Sequence, residues 1–137
     1  MYPEEILGID DDDGTMVSSR DELADAVVGH KIVKAEMIGD HKDRWYYGQG
    51  FEITLDTGRK VRMYGQSDCC AYTDIGKFML NVENIDHIIT GVGTTDGYTT
   101  WHIYADMGDV LEMEVGWSCG NPFYYAYGFH IEVVDPE

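Results

Sequence analysis

The sequence contains few cysteines and few positive charges, and it has no long apolar run. Its three cysteines are an odd number with two of them adjacent, which is a poor basis for a disulfide framework and favours the reducing cytosol. No apolar run approaches the roughly 18 residues of a membrane span, and no secretory signal opens the sequence. We therefore expect a cytoplasmic protein without a membrane segment.

Positive charge is scarce, since 9 Lys and Arg residues stand against 26 Asp and Glu residues, for a formal net charge of −17. This balance argues against direct binding to nucleic acid or to an anionic membrane surface. The charge is also uneven: residues 1–25 carry −8, residues 26–77 carry +1, and residues 78–137 contain ten acids and neither Lys nor Arg. These last carboxylates must lie on a solvated face, meet the bases of the central segment, or face a cationic partner.

An apolar period of two dominates the sequence from Lys31 onward and predicts β-strands. Short connections, such as the predicted turn at residues 56–58, leave no room for parallel crossovers. The length suits one domain. We therefore predict an α+β fold that is predominantly antiparallel β, with about seven strands and one short N-terminal helix.

The helix is predicted to begin at Ser19, because Ser19 and Glu22 have the spacing of a capping box. Residues 1–18 form an acidic lead-in, and their composition leaves open whether it is flexible or folds onto the rest of the chain. Residues 19–137 are then a single β-rich domain.

Strict alternation assigns the strand residues to two faces. It places Val33 on the apolar side of its strand. Later in the chain it places His102 opposite Trp101, and it places Glu112 and Glu114 on the polar side of their strand.

Three stretches together resemble an uncharacterised domain family of bacteriophage and bacterial genomes. They are residues 28–32, residues 57–64 leading to an Asp-Cys-Cys segment, and a late strand, residues 117–125, with a Trp and a Tyr-Tyr pair. Ala71 departs from the family pattern, in which an acidic residue follows the cysteines. The resemblance implies a phage setting and expression in the host bacterial cytoplasm, and it implies no chemistry.

A cysteine nucleophile needs a neighbouring base, cation or helix N-terminus to lower the pKa of its thiol. Asp68, Cys69 and Cys70 lie close in sequence to the only basic region of the chain, which makes them the candidate catalytic residues. The alternative is a purely structural role, in which the two cysteines end a strand with one thiol buried and the other exposed. No established catalytic template or EF-hand loop is present.

Zinc needs about four nitrogen or sulfur ligands, usually in closely spaced pairs, and the sequence has no such pair. Ligands from separate strands nevertheless remain available, and the candidates are Cys69, Cys119, His102 and His130. Without a metal or nucleotide motif, we expect no cofactor.

Aromatic residues concentrate in two clusters, one at residues 45–47 and one at residues 124–127. Tyrosine and tryptophan anchor protein interfaces because they bury much area at low entropic cost. We therefore predict a binding surface that combines aromatic and acidic side chains, formed by Trp45, Tyr46, Tyr124, Glu112 and Glu114.

Because the sequence matches no catalytic motif, the leading hypothesis is a small acidic phage accessory protein. It acts as a non-enzymatic protein-binding module, and the surface it occupies on a host protein is basic. Three alternatives stay open: a DNA-mimic inhibitor of a DNA-binding protein, a Cys- or metal-dependent enzyme, and a virion structural or assembly component. The sequence leaves the oligomeric state open.

Overall fold

The fold is an antiparallel β-sheet with a helix against one face. The computed structural model describes residues 2, 15–40, 46–67, 72–118 and 129–136. Within these ranges the elements are α1 (Thr15–Val27), β1 (Ile32–Asp40), β2 (Tyr46–Leu55), β3 (Lys60–Ser67), β4 (Tyr72–Leu80), β5 (Gly91–Thr95), β6 (Thr100–Ala105), β7 (Gly108–Ser118) and β8 (His130–Val134). The described residues include no helix with the length and apolar character needed to span a membrane.

The strands follow the order β1-β2-β3-β4-β7-β6-β5, and β8 pairs with β3 beside this path. Strand β3 divides one of its edges between two partners: residues 60–64 pair with β8, and Gln66 and Ser67 pair with β4. The β4–β7, β6–β7 and β5–β6 ladders extend the sheet beyond this branch, so strands β4 to β7 form one wing of the sheet.

One face of the sheet is apolar and carries the core. Alternate side chains of β2, β6 and β7, among them Phe51, Trp101 and Met113, are fully buried on this face. Helix α1 covers it with Met16, Leu23 and Val27, which are also fully buried. The opposite, outer face carries the polar residues of the same strands, and the candidate site lies there.

The predicted fold class is confirmed, because the structure has one helix and an antiparallel sheet. Two local predictions are wrong. The helix begins at Thr15, so Ser19 lies inside it, where its hydroxyl accepts a hydrogen bond from the Phe129 backbone N–H at 3.0 Å. Val33 is 57% exposed, because the β1–β2 register shifts between Ile32 and Lys34 and Ile32 is buried instead.

Candidate functional site

Most of the residues predicted to form a site lie outside the described residues: Trp45, Asp68, Cys69, Cys70, Cys119 and Tyr124. Tyr46 is the first residue of β2. The remaining four predicted residues, His102, Glu112, Glu114 and His130, are described, and the first three lie in the same wing of the sheet.

Glu112 and Glu114 lie on the outer face of β7, as alternation predicts, opposite residues of β4. In this antiparallel pair Glu112 is level with Met79, and Glu114 is level with Lys77. The Lys77 ammonium lies 3.7 Å from the Glu114 carboxylate, and both side chains are exposed. We call the surface formed by Lys77, Met79, Glu112 and Glu114 the Glu112 face.

Two grooves meet at Met79 on this face. One, of about 400 Å³, is lined by the residues of the Glu112 face and by Phe78. The other, of about 410 Å³, is lined by residues 79–83 together with Asp109, Leu111 and Glu112. Met79 is 63% exposed and Val82 is 71% exposed, so apolar surface is open to solvent beside the carboxylates.

A β-bulge brings Asp109 to the same side as Glu112. The β6–β7 register shifts between Ile103 and Tyr104, and the successive residues Val110 and Leu111 are both buried. Strict alternation would turn Asp109 toward the core, whereas the extra residue turns it outward. The cause is the cost of burying a carboxylate without a charged partner.

Asp109 joins His102 in a polar network on this outer face. His102 Nδ1 lies 2.8 Å from one Asp109 carboxylate oxygen, and His102 Nε2 lies 2.8 Å from the Thr95 hydroxyl. The Tyr2 hydroxyl donates a hydrogen bond of 2.7 Å to the other Asp109 oxygen. His102 is only 7% exposed although it lies on the outer face. Its imidazole is therefore held in one orientation by partners at both nitrogens.

The cluster of His102, Asp109 and Glu112 also has the donor set of a metal site, since one ligand atom from each lies within 4.8 Å of the others. In the structure, however, both ring nitrogens of His102 and both oxygens of Asp109 already have protein partners. A metal ion would have to replace these hydrogen bonds. The arrangement as it stands is a hydrogen-bonded network.

The other described metal candidate, His130, belongs to a different part of the sheet. It lies on β8, where its Nε2 is 3.0 Å from the Glu132 carboxylate. Within the described ranges, the histidine that lies close enough to two carboxylates to share a metal ion with them is His102, not His130. The two histidines predicted as ligands are therefore not brought together in that group.

A second charged cluster lies on the outer face of β2 and β3. The Glu52 side chain is nearly buried, and it accepts a 2.8 Å hydrogen bond from Arg62, while Lys60 lies 3.7 Å away. The hydrogen bond to Glu52 raises the pKa of the Arg62 guanidinium, and burial followed by the Glu132 carboxylate raises the pKa of the Tyr64 hydroxyl. This cluster is therefore an ion-pair network in which Glu52 is the shared carboxylate.

The carboxylates of residues 78–137 have mixed surroundings. Lys77 and Arg59 of the central segment pair with Glu114 and Asp135. Histidines lie beside three further acids, in the pairs His87–Asp106, His102–Asp109 and His130–Glu132. The expected excess of negative charge is therefore reduced in places. It persists at Glu112, which has no Lys or Arg within ion-pair distance in the described part of the chain.

Fold and site together define an antiparallel β-sheet protein with a polar network and an acidic groove on its outer face. The chain belongs to the family described as a domain of unknown function (DUF7448), whose model matches residues 5–131. No curated protein and no solved structure matches the chain. The resemblance to an uncharacterised domain family is thus confirmed at the level of membership, while the phage setting and the three sequence stretches stay predictions.

Sequence reasoning missed three members of the network: Tyr2, Thr95 and Asp109. The outward position of Asp109 could have been predicted from the sequence. Strict alternation from Leu111 would bury the Asp109 carboxylate, and this conflict indicates a bulge. No sequence pattern could have predicted the contact of Tyr2, because its partner Asp109 is 107 positions away in the chain.

Proposed function

We propose that this chain is a non-enzymatic protein-binding module that docks a basic partner on the Glu112 face. The observation that carries the proposal is the pair of grooves that meet at the exposed Met79 beside Glu112. Protein interfaces commonly combine an apolar anchor in a groove with charged groups at its rim. A lysine or arginine of the partner would pair with Glu112, and an apolar side chain next to it would cover Met79.

Charge supports the same choice of partner. The net charge of −17 attracts a cationic surface over long range and speeds its encounter with the module. Within the Glu112 face, Lys77 and Glu114 form an exposed pair, which contributes little by itself and can rearrange when a partner binds. The proposal places this module in a bacterial cytoplasm as a phage accessory protein, as the sequence resemblance implies.

The test is affinity capture from a bacterial lysate with the tagged full chain, followed by measurement of the captured partner's affinity. The test variant is Glu112→Gln/Glu114→Gln, and the matched control is Glu22→Gln/Asp25→Asn, which removes two charges from the exposed surface of α1. We expect the test variant to bind the partner roughly tenfold more weakly, equivalent to about 1.4 kcal/mol. We expect the control to bind like the wild type.

Other outcomes would favour the alternative functions. Equal weakening of both variants would mean that only net charge matters, and displacement of the partner by duplex DNA would then favour the DNA mimic. Unchanged binding by the test variant would exclude the Glu112 face. A symmetric oligomer with no other captured protein would favour a structural or assembly role. Retained binding together with a phenotype lost on Cys69→Ser/Cys70→Ser would favour the cysteine-dependent enzyme.

A further inference from the structure

The outer face of β5 and β6 holds the ring of Tyr2 in a defined seat. The Tyr2 ring stacks on the His102 imidazole, with ring centroids 4.1 Å apart and planes 17° apart. The edge of Tyr104 closes one side, with ring centroids 5.5 Å apart. The hydroxyl ends at Asp109, to which it donates a hydrogen bond. We call the site formed by Gly93, His102, Tyr104 and Asp109 the Tyr2 seat.

Glycines give this seat its shape. A Cβ atom on Gly93 would lie 2.6 Å from the Tyr2 Cβ and 3.0 Å from its ring, so any larger residue would displace the ring. A Cβ atom on Gly91 would lie 2.4 Å from the Tyr104 hydroxyl oxygen, so Gly91 makes room for the Tyr104 ring in the same way. Because Gly91 and Gly93 are two positions apart on one strand, both openings are on the same face.

The polar end of the seat holds the Tyr2 hydroxyl as a neutral phenol. Asp109 accepts from the hydroxyl through one oxygen and contacts His102 through the other, and Thr95 holds the far nitrogen of His102. Burial, and then the hydrogen bond to Asp109, raise the pKa of Tyr2 to about 12, so the hydroxyl keeps its proton. A phosphorylated ring would place its charge against the Asp109 carboxylate and be rejected.

We infer that the Tyr2 seat is a binding site for a tyrosine side chain, with Tyr2 as its resident ligand in exchange with tyrosines from outside. The seat has the parts of a small-ligand site: a floor without side chains, an aromatic stacking wall and a fixed acceptor for one hydroxyl. The Tyr2 seat borders the Glu112 face, because Asp109 lines a groove together with Glu112, but the partner class of this inference is a tyrosine rather than a basic surface.

The experiment removes the resident ligand and supplies a substitute. Tyr2→Ala is titrated with N-acetyl-tyrosinamide and with N-acetyl-phenylalaninamide, and binding is followed by the amide NMR signals of Gly93 and Thr95. We expect saturable binding of the tyrosine compound, roughly tenfold weaker binding of the phenylalanine compound, which lacks the hydroxyl, and weaker binding of both to the wild type.

Two glycine substitutions in the Tyr2→Ala background provide the controls. Gly93→Ala fills the floor of the seat and is expected to abolish binding. Gly116→Ala, also on the outer face, meets its nearest atom, on Tyr72, at an ordinary 3.8 Å and is expected to leave binding unchanged.

Four outcomes would overturn the inference, and the first three concern the two compounds. They are a folded Tyr2→Ala that binds neither compound, equal affinity for the two compounds, and binding that survives Gly93→Ala. Binding of Zn²⁺ to Tyr2→Ala without binding of either compound would also overturn it and would assign His102, Asp109 and Glu112 to a cation.

Discussion

At the scale of single residues, the outer face owes much of its form to glycines over which large rings lie. The Tyr2 ring packs over Gly93, the Tyr104 ring over Gly91, and the Tyr64 ring over Gly50 of β2. A glycine in a strand interior is otherwise unfavourable, because it has high backbone entropy and no side chain to pack. Each of these glycines therefore indicates a close ring contact.

Gly50→Ala should be strongly destabilising. Its Cβ would lie 2.4 Å from a ring atom of Tyr64 and 2.9 Å from Ile38, and a well-packed site tolerates an added methyl at a cost of about 1–3 kcal/mol. Urea unfolding of the two proteins measures this cost. Gly39→Ala in β1 is the control, because nothing lies within 4 Å of its added Cβ. Equal stability of Gly50→Ala and Gly39→Ala would show that the Tyr64 ring moves aside freely.

The partly buried carboxyl group of Asp74 should make the free energy of unfolding depend on pH. Burial raises the pKa of this carboxyl, so the folded state favours its protonated form. The stability that this group contributes is full at pH values below its unfolded pKa and is lost as the pH rises through the higher folded pKa. Asp74→Asn should therefore be more stable than the wild type at pH 7, and the gain should shrink toward pH 4 in urea unfolding.

The control for this prediction is Asp86→Asn, which removes the same charge from an exposed position. If both variants gained the same stability with the same pH dependence, the cause would be the change in net charge. That result would contradict the assignment of the effect to the burial of Asp74.

At the scale of elements, helix α1 is fixed to the sheet by a polar contact as well as by its apolar residues. Ser19 is 4% exposed, and its hydroxyl accepts from the Phe129 backbone N–H, which precedes β8. A buried N–H without a partner is costly, so this bond couples the position of the helix to the start of β8.

Ser19→Ala should lower the free energy of unfolding by about 1–3 kcal/mol, because it leaves the buried Phe129 N–H unsatisfied. Ser18→Ala is a matched control one position earlier, where the side chain is exposed and the helix propensity changes in the same way. Urea unfolding and amide hydrogen exchange at Phe129 measure the difference. Faster exchange at Phe129 is expected in Ser19→Ala alone, and unaltered exchange there would contradict the role of the hydroxyl.

The elements also show which parts of the structure the sequence could predict. Alternation was sufficient for the two faces of β7 from Leu111 onward, including the outward position of Glu112, because one face of the sheet is buried and fixes the register. It failed at Val33 and would have failed at Asp109, where an extra residue shifts the register. The contact of Tyr2 with His102 depends on tertiary folding across the chain, and no local pattern encodes it.

At the scale of the whole molecule, two electrostatic effects oppose each other. Ion pairs such as Arg62–Glu52 and Arg59–Asp135 stabilise the fold, and salt weakens the exposed ones. Against them stands repulsion among the groups that give a net charge of −17, which disfavours the compact state and which salt also screens. Salt screens the Arg62–Glu52 pair less than the exposed pairs, because the Glu52 side chain is nearly buried. The balance therefore depends on the exposed charges, and the chain has far more acidic than basic residues.

We therefore expect added salt to stabilise the protein. Between about 0.01 M and about 0.3 M NaCl the screening length falls from roughly 30 Å to less than 10 Å, which removes repulsion across the molecule while leaving contacts at ion-pair distance partly intact. The free energy of unfolding should rise by on the order of 1 kcal/mol. Unfolding in urea, which is uncharged, measures this at each salt concentration. Glu22→Gln/Asp25→Asn should show a smaller rise, because it begins with less repulsion. A fall in stability with salt would mean that the exposed ion pairs outweigh the repulsion among the excess carboxylates.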